Sequence, residues 1–139
     1  MACGYNPGMA HILIVEDDPS SQIVMRKVLT KLGGHTVTVT EDVAEVLKLV
    51  RARAVEMVVM DVSLAGSLHE GRPVDGVAIT RLLKADPATR EVPVLLATAY
   101  ALRGDAERLV ADCGADDYIA KPFAEPRELA EKVGGLLRR

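Results

Sequence analysis

Residues 12–18 read ILIVEDD, four consecutive apolar residues followed by three acidic ones. An unbroken apolar run of this length is typical of a short strand that is buried on both faces. The same order recurs at 57–61, which reads MVVMD, and at 92–98, which reads VPVLLAT. Three buried strands are therefore predicted, and each of them is followed by or ends on a polar side chain.

Helical patterns fill the segments between these runs. A helix is predicted from Pro19 to about Leu32, where two glycines end it. Asp42 is suited to cap the next helix, and a third is predicted over residues 75–85, ended by Asp86-Pro87. Apolar residues at helical spacing define the other faces: Val43, Val46, Leu47 and Val50, then Leu102, Ala106, Leu109 and Cys113, and finally Leu129, Val133, Leu136 and Leu137.

Two weaker strands complete the pattern. Residues 35–40 alternate valine with polar residues, as an edge strand with one wet face does, and Tyr118-Ile119 forms a short strand. Five strands alternating with five helices predict an α/β fold with a parallel sheet and helices on both faces. The 139 residues suit a single domain, which we place at residues 10–139, after a flexible N-terminal leader at residues 1–9.

Composition excludes several classes of protein. Hydrophobic residues make up 49 % of the chain and the net charge is only −3, so we expect a packed core and no direct nucleic-acid partner. No apolar run is long enough to enter and span a membrane, and the start lacks a signal-peptide pattern. The two cysteines, Cys3 and Cys113, form neither a disulfide framework nor a metal motif, which fits a cytoplasmic location. The three histidines are scattered and are interpreted as surface residues, not ligands.

Polar side chains follow the predicted strands at one edge of the sheet. In open parallel sheets, ligands bind beyond the carboxyl ends of the strands. Glu16 and Asp17 follow the first strand, Asp61 the third, Thr98 the fourth and Lys121 the fifth. We therefore expect carboxylates, a hydroxyl and an ammonium group to meet at this edge.

Such a cluster of carboxylates favours binding of a divalent cation. Carboxylates at close range repel one another, and Mg²⁺ prefers oxygen ligands from one or two carboxylates together with phosphate oxygens and waters. Once the charge is neutralised, one carboxylate can act as a nucleophile toward a phosphoryl group. The ammonium and hydroxyl donors would then stabilise the charge on the phosphoryl oxygens.

The set Glu16-Asp17, Asp61, Thr98-Ala99 and Lys121-Pro122 resembles the signature of the response-regulator receiver family of two-component signalling. The resemblance covers residues 10–139, nearly the whole chain. It implies a flavodoxin-like (βα)5 doubly wound sandwich with a parallel five-stranded sheet in the order 2-1-3-4-5.

Carried over residue by residue, the resemblance implies a role for each member of the set. Asp61 is the phosphoacceptor, and Mg²⁺ (or Mn²⁺) is held by Glu16, Asp17, Asp61 and the backbone carbonyl of Ser63. Phosphoryl-binding or switch roles fall to Thr98, Ala99, Lys121 and Tyr118, and the peptide bond before Pro122 is expected to be cis. Asp18 is either a bystander or a residue that supports the metal ligands from outside. Tyr118 is explained about as well as a tyrosine at the edge of the core.

The resemblance also implies partners and output. A histidine kinase or a histidine phosphotransfer protein would phosphorylate Asp61, and the chain would signal through protein contacts or a phosphorelay as a single-domain response regulator. The output face is the fourth helix, fifth strand and fifth helix. The protein is not expected to be an enzyme beyond its own phosphorylation and dephosphorylation. Two alternatives stay open: a pseudo-receiver that binds partners without phosphate, and, less favoured, a metal-dependent phosphohydrolase with an aspartyl nucleophile.

Two features depart from the family pattern. Residues 62–74 form a loop that is about seven residues longer than is usual in the family. The loop screens the phosphoryl group or shapes partner access, or it is a tolerated surface insertion. The resemblance implies that Ser63 and Tyr100 occupy the two positions at which the family tunes access of water to the phosphoryl group, so they are candidates for setting its lifetime.

Overall fold

The computed structural model of the protein describes residues 9–64, 66–99 and 104–138. A five-stranded parallel sheet consists of β1 (His11–Val15), β2 (Thr36–Thr40), β3 (Met57–Asp61), β4 (Val94–Thr98) and β5 (Asp117–Ala120). Its order is β2-β1-β3-β4-β5, which confirms the predicted flavodoxin-like arrangement. The helices are α1 (Pro19–Lys27), α2 (Val43–Arg51), α3 (Gly76–Ala85), α4 (Asp105–Cys113) and α5 (Pro126–Leu137). The first eight residues, which carry most of the predicted leader, lie outside the described part.

The central strands divide their side chains between two apolar cores, one on each face of the sheet. Leu13, Val58 and Met60 point to the face covered by α2, α3 and α4. Ile14 and Val59 point to the face covered by α1 and α5. Each fully buried side chain of this size contributes roughly 1.5–3 kcal/mol. The unbroken apolar runs of the sequence are therefore explained by strands that are covered on both sides.

The first helix begins as predicted but ends in a different geometry. The Asp18 carboxylate accepts a hydrogen bond of 2.9 Å from the Ser21 N–H, and Pro19 takes the first helical position. The segment Val28–Leu32, which continues α1, is a π-helix. The helix thus stops at the predicted residue, but apolar periodicity alone does not distinguish its wider last turn from an α-helical one.

The prediction that His35 lies at the surface is wrong. Its exposed fraction is 5 %, and its Nδ1 accepts a hydrogen bond of 3.1 Å from the Ala10 N–H. The two glycines after α1 bring the chain back beside the start of β1. The imidazole ring of His35 packs closely there, and a Cβ on Gly33 would lie 2.5 Å from the His35 Cδ2. His35 is therefore a structural acceptor that joins β1 to the turn before β2.

We expect the stability of the protein to fall more steeply on acidification than that of a His35→Asn variant. Burial lowers the pKa of His35 in the folded protein below its ordinary value. When the pH is near the ordinary value, the imidazole therefore takes up a proton mainly in the unfolded chain. The stabilisation from neutral His35 is present above the unfolded-state pKa and is lost as the pH falls below it. The asparagine of the variant can keep the acceptor without titrating. Urea unfolding at about pH 7.5 and about pH 5 measures the difference, and parallel profiles would contradict the expectation.

The long loop after β3 has a fold of its own. Leu68–His69 and Arg72–Pro73 pair as an antiparallel hairpin. The Ser67 hydroxyl, which is buried, donates a hydrogen bond of 2.6 Å to the backbone oxygen of Glu41, and Leu64 is 9 % exposed. The loop is therefore anchored against the turn that leads into α2.

Candidate functional site

The structure brings the polar strand ends together at one edge of the sheet. One carboxylate oxygen from each of Glu16, Asp17 and Asp61 can be chosen so that all three lie within 4.8 Å of one another. The Lys121 Nζ lies 2.7 Å from the Glu16 Oε1 and 3.4 Å from the Asp61 Oδ1. These four side chains come from the ends of β1, β3 and β5, so parallel pairing of the strands accounts for their proximity.

Glu16 is the most deeply buried member of the cluster. Its exposed fraction is 0 %, its Oε1 accepts from Lys121, and its Oε2 accepts a hydrogen bond of 3.2 Å from the Asp18 N–H. Burial raises the pKa of Glu16; the hydrogen bond from Lys121 opposes that rise, while Asp61 adds to it. Among the groups around Glu16, Lys121 therefore favours its charged form most strongly.

Lys121 is held in place from both its main chain and its side chain. Its backbone N–H donates a hydrogen bond of 2.9 Å to the Thr98 oxygen, and the following Lys121–Pro122 peptide bond is cis. Burial alone would lower the pKa of Lys121, but the bonds with Glu16 and Asp61 outweigh it and raise the pKa. The carboxylates of Glu16 and Asp61 thus favour the charged form of the Lys121 ammonium group.

Asp61 is the last residue of β3, and the start of α3 packs against it. Its exposed fraction is 4 %, and the Ser63 N–H lies 3.4 Å from its Oδ1. Gly76, the first residue of α3, donates its N–H to the Val62 oxygen over 3.0 Å. A Cβ on Gly76 would overlap the carbonyl oxygen of Asp61. The absence of a side chain at position 76 therefore allows α3 to pack directly on the backbone of Asp61.

The donor set fits a hard divalent cation. Three carboxylates, two of them buried and one half-buried, offer oxygen ligands at mutual distances that one ion can bridge. The Asp18 carboxylate accepts a hydrogen bond from the Ser21 N–H and caps α1, and its role as a bystander or an outer support of the site stays a prediction. The carbonyl of Ser63 stays a predicted ligand.

The remaining predicted residues that the structure describes lie at the end of β4 and on β5. Thr98 is 1 % exposed at the end of β4, and Ala99 is exposed directly after it. Tyr118 is half-buried, its hydroxyl donates a hydrogen bond of 2.6 Å to the Glu107 Oε2, and the Lys132 Nζ lies 5.5 Å from its ring centroid. This position packs Tyr118 along α4, and its switch role stays a prediction. Tyr100 lies outside the described residues.

Two residues that contact the site were missed by the sequence analysis. The Gln22 Nε2 on α1 donates a hydrogen bond of 2.7 Å to the backbone oxygen of Glu16, and Gly76 lies against Asp61 as described above. Gln22 is four residues after the cap of α1, so its side chain can reach back over the first turn, but this spacing alone does not name an acceptor. For Gly76, a glycine directly after the capping Asp75 was a usable signal.

We expect Lys121→Met to destabilise the protein by about 2 kcal/mol without divalent cations, because it leaves the buried carboxylate of Glu16 beside Asp61 without its counter-ion. Addition of Mg²⁺ should then stabilise the variant more than it stabilises the wild type, since the cation supplies the missing positive charge. Urea unfolding with EDTA or with Mg²⁺ measures both effects.

Lys132→Met is the matched control. Its ion pair with Asp117 spans 3.2 Å between side chains that are 26 % and 38 % exposed, so we expect a loss within about 1 kcal/mol and no added response to Mg²⁺. Equal behaviour of the two variants would contradict the role of Lys121 as a counter-ion.

The fold and the site together define a class of protein: a doubly wound α/β domain with a cluster of three carboxylates beside an ammonium group at one edge of its sheet. The chain belongs to the response regulator receiver domain family, whose model matches residues 12–134. It is therefore a receiver domain of two-component signalling, a class that binds Mg²⁺ at an acidic site, interacts with histidine kinases and downstream targets, and is generally not enzymatic.

Two similar proteins illustrate the range of the family. Protein PetR of Rhodobacter capsulatus is 36 % identical over 131 residues, which are 93 % of this chain and 49 % of PetR, so the chain spans about half of that relative. The polar-differentiation response regulator DivK of Brucella anthropi is 33 % identical over 116 residues, which are 84 % of this chain and 87 % of DivK.

Solved structures agree with this assignment. A putative response regulator from Chloroflexus aurantiacus superimposes with a TM-score of 0.79 at 30 % identity, covering 94 % of this chain and 98 % of that one. The receiver domain of the sensor histidine kinase PA1611 from Pseudomonas aeruginosa gives a TM-score of 0.77 at 32 % identity, with the same coverage of both chains. That structure has a magnesium ion coordinated in its active-site cleft.

None of the helices within residues 9–64, 66–99 and 104–138 combines the length and the apolar character needed to cross a bilayer.

Proposed function

We propose that the protein is a phosphorylation switch whose Asp61 accepts a phosphoryl group from a histidine kinase or a histidine phosphotransfer protein. The observation that carries the proposal is the position of the Asp61 carboxylate, 3.4 Å from the Lys121 Nζ and within 4.8 Å of oxygens of Glu16 and Asp17. A carboxylate that is nearly buried beside two others and an ammonium group is suited to nucleophilic attack on a phosphoryl group once its charge is balanced.

In the proposed reaction, an oxygen of Asp61 forms a bond to phosphorus as the bond from phosphorus to the donor imidazole nitrogen breaks. The product is an acyl phosphate, and the imidazole leaves with the electron pair of that bond. Asp17, Asp61, Glu16 and the Ser63 carbonyl would hold Mg²⁺ (or Mn²⁺), which when bound supplies positive charge to the phosphoryl oxygens. Lys121 and the Thr98 hydroxyl would donate hydrogen bonds to two of these oxygens.

The donor must approach Asp61 from the solvent side of this edge. A groove beside Lys121 runs between α1 and the start of the segment after β5, and it is lined by Ser20, Ser21, Val24, Lys121, Pro122 and Phe123. Val24 is 42 % exposed and its neighbour Ile23 is 66 % exposed. Exposed apolar groups next to a reaction site favour a protein partner, so we assign the phosphodonor to this surface.

Output would follow from the charge that phosphorylation adds. A phosphoryl group brings roughly two negative charges and would shift the balance between two conformations of the protein. We assign the downstream contact to the face formed by α4, β5 and α5, where Tyr118 and Glu107 are hydrogen-bonded at 2.6 Å. Ser63, Tyr100 and the anchored loop that follows Asp61 are the proposed determinants of phosphoryl lifetime.

Acetyl phosphate tests this proposal without a partner protein. Incubation with Mg²⁺ should add the mass of one phosphoryl group in an acid-labile form, and EDTA should prevent the gain. Intact mass spectrometry measures both. No gain at any donor concentration would favour the alternative of a pseudo-receiver, and continuous release of phosphate from many phosphate esters would favour a phosphohydrolase.

A further inference from the structure

The turn after β1 is fixed at both backbone groups of Glu16. Its N–H donates a hydrogen bond of 3.2 Å to the Thr40 oxygen on β2. Its carbonyl oxygen accepts from the Gln22 Nε2 at 2.7 Å. The carbonyl belongs to the peptide unit that joins Glu16 to Asp17, so the Gln22 side chain sets the orientation of the plane from which Asp17 begins.

The residue after Asp17 is held just as closely. The Asp18 N–H lies 3.2 Å from the Glu16 Oε2, and its backbone oxygen accepts from the Gln22 N–H at 2.9 Å. Gln22 therefore contacts the main chain on both sides of Asp17, with its side chain before that residue and its backbone N–H after it. The side chain of Gln22 is half-buried, which limits competition from water for the 2.7 Å bond.

We infer that Gln22 is a positioning residue for Asp17, which holds its carboxylate in the geometry needed to bind a divalent cation together with Glu16 and Asp61. This inference rests on the proposed function, because it assigns a support to the same acidic site. Some residues orient a metal ligand without binding the metal themselves. Mutation of such a residue typically lowers the metal affinity by about 10–100-fold. Gln22 acts on a ligand through the backbone, so we expect a smaller effect.

Gln22→Met tests the inference, since methionine has a similar length and cannot donate. Isothermal titration with Mg²⁺ alone should show a loss of affinity of about 5–10-fold relative to the wild type. Arg26→Met is the control, because Arg26 is an exposed side chain on the same helix, and it should keep the wild-type affinity within about twofold. A Gln22→Met variant with wild-type affinity would overturn the positioning role.

A second measurement needs no metal. In ¹⁵N relaxation experiments on the metal-free protein, the order parameter of the Asp17 amide should fall from about 0.85 in the wild type toward about 0.6 in Gln22→Met. Gln22→Arg, which restores N–H donors, should recover it. If Gln22 only ties α1 to β1, the urea midpoint will fall while the Asp17 order parameter stays unchanged, and the inference is then wrong.

The two measurements also separate this inference from the proposed function. A wild type that binds no Mg²⁺ would refute the proposed cation site, and the Asp17 order parameter would still decide whether Gln22 orders the turn. A wild type that binds Mg²⁺ and accepts phosphoryl from acetyl phosphate, alongside an unperturbed Gln22→Met variant, would leave the proposed function intact and remove only the role of Gln22.

Discussion

Asp61→Asn is expected to abolish acid-labile phosphoryl incorporation from acetyl phosphate while leaving the protein folded. The amide removes the nucleophilic oxygen charge but keeps the shape of the side chain. Lys121 retains its 2.7 Å bond to Glu16, so the buried carboxylate keeps its counter-ion. Since one of two adjacent buried acids is neutralised, we expect the unfolding free energy without Mg²⁺ to stay equal or to rise by about 1 kcal/mol.

The loss of phosphorylation and the retained stability have to be measured on the same sample. Intact mass after acetyl phosphate treatment gives the first, and urea unfolding with EDTA gives the second. Asp18→Asn is the matched control, because Asp18 is exposed and caps α1; it should still be phosphorylated. An acid-labile gain that persists in Asp61→Asn would move the phosphoacceptor to another residue.

The added stability from Mg²⁺ provides a further comparison. A ligand that binds only the folded state stabilises it in proportion to the logarithm of its concentration over Kd. Asp61→Asn removes one of the three carboxylates of the proposed site, so the gain in stability at a given Mg²⁺ concentration should be smaller than in the wild type. Asp18→Asn should respond as the wild type does.

Much of the fold and of the site's location could be predicted because local patterns and global architecture agree. Runs such as 57–61 are apolar up to the acid that ends them, as is typical of strands covered on both faces, and segments with helical periodicity alternate with these runs. Once the sheet is parallel, the polar residues that end the strands must share one edge. The proximity of Asp61 to Lys121, 60 positions apart in sequence, follows from topology alone.

The features that could not be predicted depend on contacts between side chain and backbone across elements. Periodicity places a helix up to Leu32 but carries no signal for the π-helical turn at its end. His35 is polar and follows two glycines, which favours exposure, yet a single acceptor bond to the Ala10 N–H and tight packing bury it. The sequence also does not show that Lys121 pairs with Glu16 as well as with Asp61.

The sequence carries one signal for the close contact between α3 and Asp61, the glycine directly after the capping Asp75, but it does not give the reason for that glycine. Gly76 has no positive φ that would explain it as a turn residue, and glycine at the start of a helix costs conformational entropy relative to alanine. Its role becomes clear from what a Cβ would meet: the backbone carbonyl of Asp61, with its carbon at 2.8 Å, and the Met60 Cγ at 2.9 Å. A backbone cannot rotate away as the end of a side chain can.

Gly76→Ala should therefore destabilise the protein by about 3 kcal/mol or more, since overpacking against a fixed group forces the backbone to shift. The shift would displace either α3 or the end of β3, which carries the phosphoacceptor. We consequently expect slower phosphorylation from acetyl phosphate even under conditions where the variant is still folded. Urea unfolding measures the first effect, and the time course of intact mass measures the second.

Gly135→Ala is the matched control for this substitution. Gly135 lies inside α5, and a Cβ there would meet no atom within 4 Å, so alanine should stabilise the protein by about 0.5–1 kcal/mol through its better helix propensity. If Gly76→Ala destabilises the protein and Gly135→Ala stabilises it, the cost at position 76 comes from the packing of α3 against Asp61 and not from helix propensity. If Gly76→Ala is as stable as the wild type and is phosphorylated at the same rate, the close contact does not constrain the position of Asp61.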